Sequence, residues 1–302
     1  MTQIYAERGV IGEQIQTGSY DTRIGLIGLG NIGTPFAAGL LESGILGTSQ
    51  LLISNRDRTR TLEKTQTEGI AGDALFTETN DSLLNSSDMV FVAIDKKGLG
   101  KELVRWKENN LIRPDQLIVS FAAGIRINTL KRWLGNMEQP MARIMPNTAI
   151  RERKGTTSWT VSDEVTKGQM KTLQTILGAL GTEIYVETER ELDILTIVAA
   201  SFPGLLHEVS RTAVEVAVKM GLNRQKAEIG VRGAQYGSGI SAISSGLSHE
   251  KLIGKIATEG GTTQAMLERA SELHLSQSLE LIFQRGLERA DEIEDHWENA
   301  VL

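Results

Sequence analysis

The segment from residue 23 to residue 33 constrains the fold more than any other part of the chain. An apolar run ends there in Gly28-Leu29-Gly30-Asn31-Ile32-Gly33, which has the G-x-G-x-x-G pattern, and apolar residues at helical spacing follow it. In such a turn the first glycine allows a sharp turn off a strand, the second lets backbone approach a pyrophosphate, and the third lets a helix pack close to the sheet. The N-terminus of that helix offers unpaired N–H groups to phosphate. The segment predicts a dinucleotide-binding turn; the alternative is an ordinary glycine-rich turn of an α/β domain.

The end of the second predicted strand indicates which dinucleotide binds. NAD-binding domains usually carry an acidic residue there, which hydrogen-bonds to the ribose 2′-hydroxyl. This chain has Asn55 and Arg56 at that point, with Arg58 two residues on. A guanidinium pairs with phosphate through two hydrogen bonds, so an arginine here favours the 2′-phosphate of NADP. Arg56 is the first candidate and Arg58 the second. The alternative is that both arginines are solvent exposed and that Asp57 binds the ribose.

Length and composition limit the classes of function. The chain has 302 residues, 40% of them hydrophobic, which is enough for two cores. Its formal net charge of -6 provides no basic face for nucleic acid, and the absence of cysteine excludes disulfides and thiolate metal sites. The four histidines are not at metal-ligand spacing, so we expect no metal site. We expect a cytoplasmic protein that acts on a small molecule.

Three domains are predicted. Residues 1–22 lack an apolar core and are interpreted as a short extension, neither signal peptide nor anchor. Residues 23–188 alternate strand and helix patterns, as in a Rossmann-type parallel sheet domain. Residues 189–302 show only helical spacing and predict an all-helical domain. Within it, Ile194 to Leu206 is uncharged but too short to span a bilayer, and it contains Pro203, so we expect a buried helix with a break and no membrane contact. The strands are expected at Arg23–Ile27, Leu51–Ser54, Met89–Ala93, Leu117–Phe121, Ala142–Met145, Thr157–Val161 and Glu183–Val186.

Four motifs, in order along the chain, carry a resemblance. Residues 118–125 are similar to I-S-I-A-A-G-I, and Arg143-Ile144-Met145-Pro146-Asn147-Thr148 is similar to R-x-M-P-N-T. Ala179-Leu180-Gly181 precedes a short strand, and Gly260-Gly261-Thr262-Thr263 is similar to G-G-T-T. With the glycine turn, these motifs resemble those of the pyrroline-5-carboxylate reductase family, over nearly the whole chain from Arg23 onward.

The resemblance implies an NADPH-dependent reduction of the C=N bond of a cyclic imine carboxylate, 1-pyrroline-5-carboxylate to proline, by a homodimer or a multiple of it. In the family, the helical halves of the two subunits interlock to form the dimer. It implies substrate contacts at Asn147, Ser201, Gly260, Gly261, Thr262 and Thr263. It implies cofactor contacts at Gly28, Gly30, Asn31, Ile32, Gly33, Asn55, Arg56, Ala93, Ala122, Ala123, Pro146 and Asn147.

The expected chemistry follows from the reaction. Hydride transfer to an imine needs a donor held about 3–3.5 Å from the carbon, and positioning supplies most of the catalysis. The G-G-T-T run opens a predicted helix, whose free N–H groups and dipole would hold the substrate carboxylate. Thr263 would donate its hydroxyl to the imine nitrogen. The alternative is that Thr262 and Thr263 only cap a structural helix. The absence of a lysine between Leu192 and Ser210 argues against the alcohol oxidation of the β-hydroxyacid dehydrogenases, which share this two-domain plan.

Three departures from the family pattern concern the substrate. Ile94-Asp95-Lys96 replaces V-K-P, Ala199-Ala200-Ser201-Phe202-Pro203 replaces S-G-S-G-P, and Thr258-Glu259 replaces S-P before G-G-T-T. Phe202 puts a ring where the family has glycine, and Glu259 puts a negative charge beside the loop for a carboxylate. A related imine reductase with another substrate and a non-catalytic NADP-binding regulator are therefore kept as alternatives.

Two further patterns concern the surface. The acidic and basic run from Glu288 to Asp295 is predicted to lie on a solvated helix face. An apolar stripe runs through Leu205, Leu206, Val209, Ala213, Val214, Ala217 and Val218. A second copy of the chain would cover it, or else it forms an intramolecular core.

Overall fold

The computed structural model describes residues 22–55, residue 70 and residues 76–300. The described chain contains a seven-stranded sheet in the order β2-β1-β3-β4-β5-β6-β7. Its strands are β1 (Ile24–Ile27), β2 (Leu51–Ser54), β3 (Met89–Val92), β4 (Leu117–Ser120), β5 (Met141–Pro146), β6 (Gly155–Val161) and β7 (Gly181–Tyr185). All seven predicted strands are present. Together with the helices that follow β7, they confirm the predicted fold class of a Rossmann-like domain followed by a helical one.

The direction of the last two strands differs from the prediction of a parallel sheet. Strands β1 to β5 are parallel, but β6 pairs antiparallel with β5, and β7 is parallel to β6. The cause is the short connection between β5 and β6, which holds only the 3₁₀ turn Thr148–Glu152. A parallel crossover needs a dozen or more residues, so a connection this short returns the chain antiparallel.

The sheet carries an apolar layer on each face. Alternate residues of β3 belong to different clusters: Met89 and Phe91 to one, Val90 and Val92 to the other. The rings of Phe36, Phe91 and Phe121 meet in the first layer, with the centroids of Phe36 and Phe91 4.7 Å apart. Strands buried on both faces are typical of parallel sheets covered by helices, which explains their continuous apolar runs.

The described helices follow the predicted alternation. They are α1 (Gly33–Ser43), α2 (Asn80–Ser86), α3 (Lys96–Glu108), α4 (Ile127–Leu134), α5 (Lys167–Gly178), α6 (Glu189–Leu195), α7 (Phe202–Lys219), α8 (Arg224–Ser245), α9 (His249–Ile256), α10 (Thr262–Glu272) and α11 (Leu275–Glu298). A π-helical turn, Thr196–Ser201, joins α6 to α7. Helix α6 begins with a capping box in which Thr188 and Glu191 satisfy each other's backbone N–H groups.

The expectation of a buried, broken helix at Ile194 to Leu206 is wrong on both points. Residues Glu189–Lys219 form one continuous helix of 31 residues. By length and composition alone, this helix is long and apolar enough to cross a membrane. Of its apolar 18-residue stretch, 11% is buried within the chain. Pro203 follows the π-helical turn Thr196–Ser201, and the helix continues through it. Within this chain the helix is therefore largely uncovered.

The chain divides into two compact units by its internal contacts. One contains Phe202–Gln284, and the other contains the sheet residues up to Ser201 together with residues 285–300. The predicted boundary near residue 188 stays a prediction, and the predicted extension 1–22 lies outside the described residues except for Thr22. In the helical unit, of the apolar stripe from Leu205 to Val218 only Val214 is buried, whereas Val209 is 58% exposed. The stripe forms no core within the unit, so that alternative is wrong.

Candidate active site

The turn after β1 has a different environment at each glycine. Gly28 has φ +101°, and a Cβ there would lie 2.6 Å from the Ala93 carbonyl oxygen. A Cβ on Gly33 would lie 2.0 Å from the Gly28 carbonyl oxygen. Among the described residues, the atom nearest to a Cβ on Gly30 would be the Ala93 carbonyl oxygen, 3.9 Å away. The first and third glycines are thus required by the fold, while the second faces open space that a ligand can approach.

The end of β2 braces this turn. The Gly28 N–H donates to the Ser54 carbonyl at 2.9 Å, and the Leu29 N–H donates to Asn55 Oδ1 at 3.4 Å. Asn55, predicted to contact the cofactor, therefore also supports the turn through its side chain. Arg56, Arg58 and Asp57, on which the prediction of NADP rests, lie outside the described residues.

The other predicted cofactor residues follow β3, β4 and β5, so they lie with the turn at the carboxyl edge of the parallel strands, where open α/β sheets bind ligands. Ala93 is buried and donates its N–H to Ile27, and the Ala122 N–H donates to Ser120 Oγ at 3.1 Å. Asn31 is exposed, while Ile32 and Ala123 are half-buried. Pro146 ends β5 and is buried. The sheet thus brings these residues to one edge.

Asp95 and Lys96 account for one departure from the family pattern. The Asp95 side chain caps α3 by accepting the Gly98 N–H at 2.9 Å. Lys96 follows it and is half-buried. Burial lowers the pKa of the Lys96 ammonium, and the positive charge of Arg289 lowers it further. A half-buried cation thus lies one position later than the family's lysine.

A buried ion network between β5 and α6 was missed by the sequence analysis. Arg143 is fully buried, and its guanidinium donates to Glu189 Oε1 at 2.7 Å and to Asp193 Oδ1 at 3.1 Å. Arg126 lies 3.5 Å from the other oxygen of Asp193 and also pairs with Glu294. Glu294 belongs to the run predicted to be solvated, and its side chain is only 17% exposed, so that prediction is wrong at this residue. The sequence did contain one indication of this network, because Arg143 lies inside a strand whose other residues are mostly apolar.

Asn147 and the π-turn are joined by a hydrogen bond. Asn147 Oδ1 accepts the N–H groups of Ala149 at 3.2 Å and Thr156 at 3.3 Å. Its Nδ2 donates to the Ala199 carbonyl at 3.2 Å. Ser201, predicted to contact substrate, is the last residue of the π-turn and is exposed. The motif after β5 is therefore in contact with the segment that carries Ser201.

The G-G-T-T segment begins a helix, as predicted. Gly260 has φ +71°, and a Cβ on Gly261 would lie 2.7 Å from Thr258 Oγ1, so glycine is needed at both positions. The N-cap of α10 is Gly261, which makes no side-chain cap. Thr262 and Thr263 are the first residues of the helix, so the alternative that they cap it is wrong. The first N–H groups of a helix have no intrahelical partner, which leaves those of Thr262 and Thr263 available to an anion. The Gly260 N–H donates to Gln264 Oε1 at 2.8 Å, and the Gly261 N–H donates to the Thr258 carbonyl at 3.0 Å.

Two further expectations concern polar groups in the helical half. Glu259 is exposed beside the G-G-T-T segment, and so are the four histidines, His207, His249, His274 and His296. Among the described residues no group of three or more His, Asp or Glu side chains is placed to hold a metal ion. The described chain therefore offers glycine-rich loops and helix N-termini as its candidate binding features.

Two parts of the chain match the sequence models of known families. Residues 189–293 match the family model of pyrroline-5-carboxylate reductase dimerisation, and residues 23–124 match that of NADP oxidoreductase, coenzyme F420-dependent. A protein named pyrroline-5-carboxylate reductase 2 from Bacillus subtilis is 27% identical over 284 residues, covering 93% of this chain and 98% of that protein. The chain is therefore similar to pyrroline-5-carboxylate reductases over most of its length.

Further pyrroline-5-carboxylate reductases are similar to this chain along most of its length. The Pseudomonas aeruginosa reductase is 27% identical over 277 residues and covers 90% of this chain. The Plasmodium falciparum pyrroline carboxylate reductase, solved with NADP bound, superposes with a TM-score of 0.79 at 19% identity over 92% of this chain and 100% of that one. The reductase from Coxiella burnetii gives a TM-score of 0.77 at 23% identity over 93% of this chain and 100% of that one. At such identities the superpositions establish the fold.

Proposed function

We propose that this protein uses NADPH to reduce the C=N bond of 1-pyrroline-5-carboxylate to give proline. The observation that carries the proposal is the match over 93% of the chain to a protein named for that reaction. The described loops supply a physical basis for it, since the glycine turn leaves room at Gly30 for a dinucleotide and α10 leaves N–H groups for a carboxylate.

In this proposal the protein acts mainly by positioning. The imine nitrogen protonates readily, so the site needs a donor near nitrogen and a grip on the carboxylate rather than a strong acid. The N-terminus of α10, with Gly260, Gly261 and Thr262, holds the carboxylate, and Thr263 donates its hydroxyl to nitrogen. The bound NADPH supplies the hydride. Ser201 and Asn147 complete the substrate surroundings.

NADPH is the proposed cofactor because the second strand ends in Asn55-Arg56 rather than in an acidic residue. An arginine beside the 2′-phosphate contributes a charge-assisted hydrogen bond. Arg56→Ala should therefore narrow the difference between NADPH and NADH binding by about 1–3 kcal/mol. Titration calorimetry measures both affinities, and equal dissociation constants in the wild type would contradict this choice.

We also propose that the active protein is a homodimer, or a multiple of it, in which helices of one subunit complete the substrate site of the other. Support comes from the family model for residues 189–293 and from the exposed apolar side chains of the helical unit, including Val209 and Met220, which is 83% exposed. A second copy accounts for the apolar face of Glu189–Lys219 without a membrane. The cytoplasmic location and the absence of nucleic-acid and membrane partners stay predictions from the sequence.

One observation favours a second candidate, a related imine reductase with a different substrate. Glu259 is exposed next to the loop proposed for the carboxylate, and Phe202 packs edge-on against Phe283 with centroids 5.4 Å apart. A carboxylate near Glu259 would be repelled by a few kcal/mol at an effective dielectric of about 20, and by less with solvent screening. A substrate with its acid group placed elsewhere avoids that repulsion.

The deciding experiment is NADPH oxidation measured against a panel of cyclic imine carboxylates of different ring size. We expect turnover of 1-pyrroline-5-carboxylate, with a lower rate in Thr263→Ala and nearly unchanged NADPH affinity. Thr175→Ala is the matched control, because Thr175 lies on α5 outside the proposed site and its hydroxyl donates to the Lys171 carbonyl of the same helix at 2.8 Å. A gain in kcat/KM for 1-pyrroline-5-carboxylate in Glu259→Pro would favour the second candidate. NADPH binding without turnover of any imine, in the wild type and in Glu259→Pro, would overturn the reductase proposal and leave the regulator.

A further inference from the structure

A proline limits the backbone hydrogen bonds that the long helix can make. Pro203 lies inside the continuous helix Glu189–Lys219 and has no N–H. In an α-helix the N–H of residue 203 would donate to the carbonyl of Ala199, four positions earlier, and the proline ring also crowds that carbonyl. The turn immediately before Pro203, Thr196–Ser201, is π-helical. Pro203 therefore cannot give the Ala199 carbonyl the N–H bond that an α-helix would place there.

Asn147 supplies a donor to that same carbonyl. Its Nδ2 lies 3.2 Å from the Ala199 oxygen. The orientation of the side-chain amide is fixed because its oxygen faces two backbone N–H groups, those of Ala149 and Thr156, while its nitrogen faces a carbonyl. The loop after β5 thus holds Asn147 rigidly, and Asn147 in turn holds the π-turn.

We propose that Asn147 is a positioning residue that replaces the hydrogen bond Pro203 cannot give, and so fixes the π-turn that ends at Ser201. π-Helical turns inside α-helices are frequent at functional sites, where they change the direction in which side chains point. Another contact defines the turn from its opposite end, since a Cβ on Gly286 of α11 would lie 3.1 Å from Ile197 Cδ1. The consequence for catalysis rests on the proposed function: Asn147 sets the position of Ser201 for the imine.

The test separates the donor of Asn147 from its acceptors. Asn147→Asp keeps an oxygen for the Ala149 and Thr156 N–H groups but removes the donor to Ala199. The matched control is Asn136→Asp, because Asn136 also accepts a backbone N–H, from Glu138, and donates its amide, to Gln139, outside the proposed site. Pro203→Ala restores a backbone N–H at position 203, and the double variant Asn147→Asp/Pro203→Ala completes a cycle.

We expect Asn147→Asp to raise the unfolding equilibrium constant at least tenfold in the wild-type background and less than threefold in the Pro203→Ala background. In hydrogen exchange, the amides of residues 196–201 should exchange at least tenfold faster in Asn147→Asp than in the wild type or Asn136→Asp. Equal losses in both backgrounds, or unchanged exchange at those amides, would overturn the proposal. These two readouts do not depend on the reaction.

The kinetic readout tests the consequence for catalysis. Asn147→Asp should raise the KM for the imine at least tenfold, whereas Asn136→Asp should leave this KM unchanged. A KM within twofold of the wild type, with the turn loosened, would contradict the positioning role. If the wild type reduces no imine while the stability cycle and the exchange data behave as expected, the proposed function fails and the hydrogen-bond replacement stands.

Discussion

The sheet unit and the helical unit use apolar residues in opposite ways. All four residues of β3 are buried, and two apolar clusters cover the faces of the sheet. Between Phe202 and Gln284 only Val214 and Ala227 are buried apolar residues, while Tyr236 and Met266 are more than 70% exposed. The first unit completes its core within the chain. The second keeps large apolar side chains in contact with solvent, and soluble monomers rarely expose such surface without a partner.

The largest effect is expected from a charged residue in the exposed apolar face of α7, which tests whether a second subunit covers that face. In Val209→Asp each of the two symmetric sites of a dimer would bury a carboxylate, so we expect the dimer dissociation constant to rise by about three to four orders of magnitude. Val209→Ile keeps an apolar side chain and should leave the dimer intact. Sedimentation velocity measures both. A dimer of unchanged affinity in Val209→Asp would remove the apolar face from the interface.

The buried network of the sheet unit gives the next largest effect. Arg143→Met leaves Glu189 and Asp193 without their buried partner, and we expect a loss of about 3–5 kcal/mol in the free energy of unfolding. Arg190 pairs with Asp291 at 2.7 Å, but both side chains are nearly half exposed. Arg190→Met should therefore cost less than about 1 kcal/mol. Urea unfolding measures the free energy of unfolding of both variants. Equal losses in Arg143→Met and Arg190→Met would contradict the claim that the buried ion pairs stabilise the fold more than the exposed one.

Two glycines of the glycine turn have different roles, one in stability of the fold and the other in NADPH binding. Gly33→Ala forces a Cβ against the Gly28 carbonyl, and we expect a loss of about 2–3 kcal/mol in stability. Gly30→Ala meets open space, so its stability should stay within about 0.5 kcal/mol of the wild type, while its Kd for NADPH rises about tenfold. Thermal unfolding and calorimetry together test the pair. Destabilisation by Gly30→Ala with unchanged NADPH affinity would contradict the roles derived from the geometry.

The smallest effect concerns acid stability. Burial raises the pKa of Glu102, but hydrogen bonds from Arg105, Asn80 and Trp106 outweigh it and hold that pKa below its ordinary value of 4.5. A lowered pKa contributes stability that is present above pH 4.5 and is lost as the pH falls through the folded-state pKa. Glu102→Gln should remove about 1 kcal/mol at neutral pH and flatten the loss of stability below pH 4.5.

The control for acid stability lies in the helical unit. Glu215 pairs with Arg224 at 2.8 Å, and both side chains are exposed. Glu215→Gln should leave the unfolding curve nearly unchanged at every pH, since solvent screens an exposed pair. A pH dependence of stability that shifts equally in Glu102→Gln and Glu215→Gln would show that the two units do not differ in this respect.

The fold was predictable because the strands are apolar runs between clear turn signals. The antiparallel direction of β6 was not predicted. The sequence does indicate it, because the few residues between Pro146 and Gly155 are too few for the crossover that a parallel pair of strands needs. The path of Glu189–Lys219 was mispredicted because an apolar stripe does not reveal whether its own chain or another covers it.

The candidate site was predictable where glycine is required by backbone geometry. Gly28 and Gly260 have positive φ, and Gly33 and Gly261 meet close backbone or side-chain atoms, so their pattern in the sequence reports geometry directly. The roles of Arg143 and of the Asn147 bond to Ala199 were missed, because each depends on residues that are 46 to 52 positions away in the chain. Such pairings arise only from the tertiary fold.

The central claim is that a substrate site needs the G-G-T-T loop of one subunit and the glycine turn of the other, and subunit mixing tests it most directly. Gly30→Ala and Thr263→Ala proteins are allowed to exchange subunits and are assayed at an NADPH concentration well below the raised Kd of Gly30→Ala, where each variant alone has low activity. Random exchange makes about half of the dimers mixed, each with one intact site, so we predict about a quarter of wild-type NADPH oxidation with 1-pyrroline-5-carboxylate. Activity no higher than the average of the two parent variants would contradict the shared site.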